Sequence, residues 1–347
     1  MALLKAKTES GMVEGLYSGN PEITIFKGIP YAAPPVGKLR WMPPQPAEPW
    51  DGVYQAYLFK DIPAQAEERH PFYSKEFYKC RKPMSEDCLY LNIWTPAASD
   101  NERLPVMFFI HGGGFMVGNI GQYENCLRDV VERTGCVAIY PEYRLSPETM
   151  FPGGVEDCVK TLDWLVDHAG ELGVDATRIA VAGDSAGGSL SNAVVLEGSH
   201  ADRIKAVVEL YPLVDGGPIP DEWSYDLYEI VDEQRPEALS RVDRIRLANN
   251  DLPPMYVNGD ADKMLDPLIS ALFAEDVSMY PRTVIIASEF DFLRYQDELF
   301  AKKLQDAGVD VAAIRYCGCD HGFFEAYGVM PQAEDVCRII SEEIAKI

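Results

Sequence analysis

The sequence predicts an α/β fold, with a mostly parallel central sheet flanked by helices and a small cap insertion, built as one domain over residues 1–347. Three observations predict it. Apolar strand-like runs alternate with helix-like segments along most of the chain. One strand-to-helix junction carries Gly183-Asp184-Ser185-Ala186-Gly187. Upstream, the apolar run Val106-Met107-Phe108-Phe109-Ile110 delivers a glycine loop, His111-Gly112-Gly113-Gly114-Phe115.

The elements follow in order. Leu89–Trp94, Val106–Ile110 and Val137–Tyr140 read as early strands. Val155, Cys158, Val159, Leu162, Leu165 and Val166 recur at i, i+3, i+4 and i+7, which predicts an amphipathic helix ending near Gly170. Arg178–Ala182 is a strand leading into the Ser185 turn, and the small residues of Gly188–Leu196 form the helix after it. Ile204–Leu210 and Thr283–Ser288 are further strands. Leu299, Phe300 and Leu304 make a helix face stopped by Gly308. Val309–Tyr316 is a last strand, and Val336, Ile339, Ile340 and Ile344 line a closing helix. No internal repeat or low-complexity tract interrupts this.

From about residue 215 to 280 the alternation breaks. The segment is rich in Pro, Asp, Glu and aromatic residues, with a short amphipathic piece at Ala238–Ala248. Its apolar residues (Trp223, Leu227, Tyr228, Ile230, Leu239, Ile245, Leu247) argue against a disordered linker. An insertion between two late strands is where a cap over an active site sits.

Composition narrows the function classes. Fifty-five acidic against 31 basic residues give a net charge of −24, which disfavours nucleic acid and anionic membranes as partners. The acid is scattered, as on a solvated surface. The first residues lack a signal-peptide apolar core and no apolar run is long enough to span a bilayer, so a cytoplasmic location is expected. The eight cysteines show no C-x-x-C pair and no zinc spacing. Most of them read as buried free thiols, with a Cys80–Cys88 bridge as the alternative for that pair. Cys317-Gly318-Cys319 beside His321 would be an unusual chelate, and neither metal nor cofactor is expected.

The chemistry lies in the two glycine motifs. G-x-S-x-G between strand and helix turns the backbone so sharply that the serine hydroxyl stands clear, at the positive end of the helix. Unobstructed backbone N–H groups in a glycine loop suit a developing oxyanion. A phosphate cradle is the competing reading of that loop, but no G-x-x-x-x-G-K-[ST] or G-x-G-x-x-G is present. Elbow serines of this kind are followed in the chain by an acid and then a histidine. Of His70, His111, His168, His200 and His321, only the last two follow Ser185. His200 leaves no room for an intervening acid-bearing strand, so His321 is the base. After the strand ending at Ser288 the acid is Glu289 or Asp291, with Asp215 the outsider. The oxyanion donors are the N–H groups of Gly113, Gly114 and Ala186, and His111 shapes their loop.

At this point two resemblances appear. Phe26-Lys27-Gly28-Ile29-Pro30-Tyr31-Ala32, Pro34-Pro35-Val36-Gly37, Leu39-Arg40-Trp41 and Glu86-Asp87-Cys88-Leu89-Tyr90-Leu91-Asn92-Ile93-Trp94 resemble the type-B carboxylesterases, the cholinesterase-like group. From the glycine run onward the chain is similar to hormone-sensitive-lipase-like esterases. The residues that carry this are Tyr143-Arg144-Leu145-Ser146-Pro147-Glu148, Phe151-Pro152, Gly183–Gly188, Asp291-Phe292-Leu293-Arg294 and His321-Gly322-Phe323. Both groups imply the α/β-hydrolase fold. The D-x-L-R match implies Asp291 as the acid. Type-B enzymes are longer and use Glu in elbow and triad, where this chain has Asp184 and Asp291. In secreted relatives the Glu-Asp-Cys cysteine pairs with an upstream cysteine, and Cys80 is too close to Cys88 for that loop.

The resemblance implies a serine carboxylesterase acting on small-molecule esters through Ser185, His321 and Asp291. Phe115, Phe292, Phe323 and Phe324, with Phe72, Tyr73, Phe77 and Tyr78, suit a compact apolar acyl or aryl ester or belong to the core. Acetylated or feruloylated plant compounds are a more specific expectation. A non-catalytic binding scaffold is the alternative from another class, and peptidase activity has no supporting feature.

Overall fold

The computed structural model describes residues 1–40, 42, 45–62, 83–99 and 102–347. Trp41, His70, Phe72, Tyr73, Phe77, Tyr78 and Cys80 lie outside the described residues, and so does any account of a Cys80–Cys88 bridge.

Among the described residues twelve strands are formed: β1 (Lys5–Thr8), β2 (Gly11–Glu14), β3 (Leu16–Tyr17), β4 (Thr24–Pro30), β5 (Val53–Gln55), β6 (Tyr90–Thr95), β7 (Leu104–Ile110), β8 (Val137–Ile139), β9 (Val174–Asp184), β10 (Ile204–Leu210), β11 (Arg282–Phe290) and β12 (Val311–Asp320). The helices are α1 (Glu124–Thr134), α2 (Gly153–Asp167), α3 (Ala169–Leu172), α4 (Ala186–Glu197), α5 (Arg235–Ala248), α6 (Leu252–Tyr256), α7 (Arg294–Asp306) and α8 (Pro331–Ile344). Nine strands form one sheet in the order β12-β11-β10-β9-β7-β8-β6-β4-β3, and β1-β2-β5 form a second. From β12 to β8 every neighbour pair is parallel. The pairs β8–β6, β6–β4 and β4–β3 are antiparallel.

The central stretches of the inner parallel strands are mostly apolar because helices cover both faces, whereas the edge strand β12 alternates with part-exposed positions. Val106 to Ile110 of β7 are all fully buried, as are Val181 and Ala182 of β9. One face packs on α2, α4 and α7 through Leu162, Leu165, Leu190, Val194, Phe300 and Leu304. The other packs on α1 and α8 through Leu127, Val130, Val131, Val336 and Ile340. Helix α4 is buried along Ala186–Val195, which its small residues permit.

Some sequence expectations are corrected. The helix over Val155–Val166 stops at Asp167, and Gly170 lies inside the short α3. Gly173, at φ 68°, is the left-handed residue that ends the pair. Leu299 is 38% exposed, so the apolar face of α7 is carried by Phe300 and Leu304 without it. Leu247 in the 215–280 segment is likewise exposed. That segment contains α5, α6 and several 3₁₀ turns, with Tyr228, Val242, Leu252 and Tyr256 buried against the main core.

Candidate active site

The strand β9 ends at Asp184 and α4 begins at Ala186, which leaves Ser185 alone at the turn with φ 54° and ψ −119°. A non-glycine residue held there stores roughly 1–3 kcal/mol. Its surroundings hold it in place. The Ser185 N–H donates to Leu210 O at 2.8 Å, and its carbonyl accepts from the N–H groups of Gly188 and Leu213 at 3.0 and 3.1 Å. The flanking glycines are needed for close approach: a Cβ on Gly183 would collide with Gly187 O, and one on Gly187 with Ile110 O.

From this turn Ser185 Oγ lies 2.8 Å from His321 Nε2, and His321 Nδ1 lies 2.7 Å from Asp291 Oδ2. The network assigns the proton to Nδ1, donated to the carboxylate, and leaves Nε2 to accept from the serine. Asp291 is fully buried and His321 nearly so. The second carboxylate oxygen, Oδ1, accepts the N–H of Leu293 at 3.0 Å. The ring of Tyr211, itself at φ 38°, lies 4.8 Å from the imidazole.

The glycine loop follows β7, the neighbour of β9. Gly112 N–H donates to Asp184 Oδ1 at 2.8 Å, which ties the loop to the elbow. Gly113 and Gly114 take φ 104° and 60°, where a side chain is strained. Among the described residues no protein acceptor takes the N–H of Gly113 or Gly114. Ala186, first residue of α4, has an N–H that no helix carbonyl reaches. These three groups are the donors expected from the sequence.

The remaining candidates are engaged elsewhere. Glu289 Oε2 accepts the N–H of Gly318 at 2.6 Å. Asp215 Oδ1 accepts the N–H of Gly217, and Gln296 Oε1 takes the Asp215 N–H. Cys317 is exposed and Cys319 buried, and among the described residues no three His, Cys, Asp or Glu side chains are grouped to hold a metal ion. Phe115, Phe323 and Phe324 belong to the core: Phe115 stacks on Tyr256 at 3.9 Å, and Phe324 sits 6.0 Å from Phe109.

Several polar residues around the elbow escaped the sequence reading. Tyr123 donates its hydroxyl to Asp184 Oδ2 at 3.0 Å and lies 3.4 Å from Glu325 Oε1. Burial, then the nearby Glu325 carboxylate, pushes the Asp184 carboxyl up to about 8. His111 is fully buried with Nδ1 2.7 Å from Gly112 O, and burial lowers it to about 4. Glu142 stands 3.9 Å from His111 Nε2 and is pushed up to about 7 by burial. Between pH 4 and 7 both groups are therefore neutral, and their proximity is not an ion pair. No local motif marks Tyr123, Glu142 or Glu325, since their contacts with the two glycine motifs join distant parts of the chain.

The Glu142 shift has a stability consequence. A carboxyl raised in the folded state binds more protons there than when unfolded, so its contribution is full below pH 4.5 and is lost as pH rises through about 7. Glu142→Gln keeps the acceptor for Ile120 N–H, 3.0 Å away in the native protein. We expect its stability relative to wild type to rise between pH 4.5 and 7, by on the order of 1–3 kcal/mol. Denaturant unfolding of both proteins at several pH values checks this; parallel curves would refute the buried-acid account.

A family model described as alpha/beta hydrolase fold matches residues 107–325, and one described as the carboxylesterase family matches residues 3–210. The chain belongs to the carboxylesterases of the α/β-hydrolase fold. An arylesterase of Saccharolobus solfataricus is 33% identical over 241 residues, covering 68% of this chain and 72% of that protein. Carboxylesterase 1F of Mus musculus is 38% identical over 188 residues, half of this chain. This carboxylesterase-family chain spans about a third of the length of that relative and of the rat liver carboxylesterase 1F. Among solved structures, a Pyrobaculum calidifontis esterase superposes with a TM-score of 0.62 at 31% identity, over 74% of this chain and 80% of that one. A Rhizomucor miehei esterase structure matches at 28% identity with a TM-score of 0.62, over 74% and 79%. The carboxylesterase model covers β1 to β10 with the elbow, and the second model runs from within β7 to Glu325, past His321. Among the described residues no helix is long and apolar enough to cross a membrane.

Proposed function

We propose that this protein hydrolyses small acyl or aryl carboxylic esters through an acyl-enzyme on Ser185. The observation that carries the reading is the relay from Ser185 Oγ through His321 to the buried Asp291, at 2.8 and 2.7 Å, beside three unengaged backbone donors.

The geometry supports the following course. Ser185 Oγ attacks the ester carbonyl carbon while His321 Nε2 takes its proton. Asp291 stabilises the imidazolium and holds its orientation. Negative charge gathers on the former carbonyl oxygen, where the N–H groups of Gly113, Gly114 and Ala186 stabilise it. Collapse breaks the bond to the alkoxy oxygen, which takes the proton from Nε2 and leaves as the alcohol. Water then attacks the acyl-enzyme, His321 removes its proton, and the acid departs as Ser185 regains its hydrogen. Besides the ester and water, the course calls only on the residues named.

Residues 215–280 form the cap in this reading, laid over the carboxyl ends of β10 and β11. Phe292, directly after the acid, is buried as Phe115, Phe323 and Phe324 are, and packs 5.2 Å from Trp223 of the inserted segment. A panel of p-nitrophenyl esters of increasing chain length, with feruloyl and acetyl esters added, tests the proposal. We expect the highest kcat/KM on short acyl chains and no loss of activity with a chelator. Native protein that hydrolyses none of the esters and resists fluorophosphonate labelling would support a binding scaffold instead.

A further inference from the structure

We propose that the segment joining β10 to β11 positions the acid and the base, with Tyr228 and Arg244 as positioning residues that hold the backbones of Asp291 and His321. The proposal rests on the assignment of Ser185, His321 and Asp291 made above.

Asp291 and His321 follow the last two strands of the sheet, and β12 is an edge. Among the described residues no strand lies beyond β12 to brace the turn after it. Gly322 at φ 86° follows His321 directly. Side-chain hydrogen bonds from outside the sheet meet both turns at their carbonyl groups. The Tyr228 hydroxyl donates to Asp291 O at 2.9 Å in a buried contact. Trp223 Nε1 donates to the same hydroxyl at 3.3 Å, so the oxygen has a defined donor and a defined acceptor. The acid turn reaches back: Arg294 places its guanidinium 4.6 Å from the centre of the Tyr228 ring and donates to Leu227 O at 2.5 Å.

The base is held from a different element of the same segment. Arg244, on α5, donates Nη2 to His321 O at 2.6 Å. Asp320, preceding the base, stands 4.0 Å from both Arg241 and Arg244. The two carbonyls therefore belong to the residues whose side chains share the 2.7 Å hydrogen bond, and each is held by the inserted segment. Rotation of either peptide unit would swing the attached side chain. A productive relay tolerates only about 0.5 Å of such movement. A misplacement of about 1 Å costs up to roughly 10²-fold in rate. The segment therefore sets the rate of proton transfer as well as covering the site.

The test uses three variants of the full chain. Tyr228→Phe removes the hydroxyl and keeps the ring packed on Arg294. Arg244→Gln removes the cation, and Arg244→Lys restores a cationic donor. We expect Tyr228→Phe and Arg244→Gln each to lower kcat about tenfold with KM within about twofold of wild type. Fluorophosphonate labelling of Ser185 should slow by the same factor, and Arg244→Lys should recover most of the rate. Circular dichroism and the thermal midpoint separate this from loss of folded protein. Unchanged kcat in both variants, a rise in KM alone, or a loss that tracks the unfolded fraction would each overturn the proposal. Ser185→Ala run alongside distinguishes the failures. If it is inactive while Tyr228→Phe and Arg244→Gln match wild type, only the positioning role falls; if it stays active, the assignment beneath it falls too.

Discussion

Ser185→Ala should lower kcat on the order of 10⁶-fold while leaving the protein folded. The nucleophilic oxygen is lost outright, and no second hydroxyl is held against His321 Nε2 in its place. Removing Oγ deletes one hydrogen bond at a partly buried position, the 2.8 Å contact to the imidazole. The backbone contacts that hold the turn, from Ser185 N to Leu210 O and from Gly188 and Leu213 to Ser185 O, do not involve the side chain. The thermal midpoint should therefore move little. Steady-state hydrolysis of p-nitrophenyl acetate with circular dichroism of the same sample measures both quantities. A variant keeping more than about a hundredth of wild-type kcat would remove Ser185 from its role, since intact enzymes of this kind lose orders of magnitude more.

Asp291→Asn should cost on the order of 10⁴-fold in kcat, through the tautomer of His321. The carboxylate Oδ2 now accepts from Nδ1–H at 2.7 Å, which frees Nε2 to take the serine proton. An amide at that position offers either no charge to support the imidazolium or a donor facing Nδ1, which favours the wrong tautomer. Glu289→Gln and Asp215→Asn supply the comparison. Glu289 binds Gly318 N–H on an exposed strand end, and Asp215 binds Gly217 N–H, so neither change should cost more than severalfold. Parallel kcat measurements on the three variants decide the acid. Near-wild-type activity in Asp291→Asn with a dead Glu289→Gln or Asp215→Asn would transfer the role.

The sequence and the structure agree best where a local pattern carries the information. The glycines at 183 and 187 are legible because the turn brings Ile110 O and the α4 backbone too close for any Cβ. That His321 is the histidine lying beside Ser185 follows from chain order and the elimination of His200. Strand alternation could not separate Glu289 from Asp291, because residues two apart face the same side of a strand; β11 in fact ends at Phe290. The antiparallel order β8-β6-β4-β3 was not legible either, since strand direction within a sheet leaves no mark on an apolar run as short as Val137–Ile139. Leu299 was misplaced because an exposed leucine costs little on a helix and so breaks the pattern freely. Tyr123, Tyr228 and Arg244 meet partners 61, 63 and 77 residues away. Contacts of that kind depend on the completed fold.

The serine and its base are 136 residues apart, and the strained turn at Ser185 is braced by Leu210 O and the N–H of Leu213, both later in the chain. During synthesis at about 5–20 residues per second, the hydroxyl therefore emerges on the order of ten seconds before its base. Through that interval it is an ordinary alcohol on an unfinished sheet, with no imidazole to take its proton. With the roles proposed for Ser185 and His321, esters in the surrounding solution would meet no reactive serine until β12 and the His321 turn are in place, and the order of the elements along the chain would delay the chemistry until the fold that contains it exists.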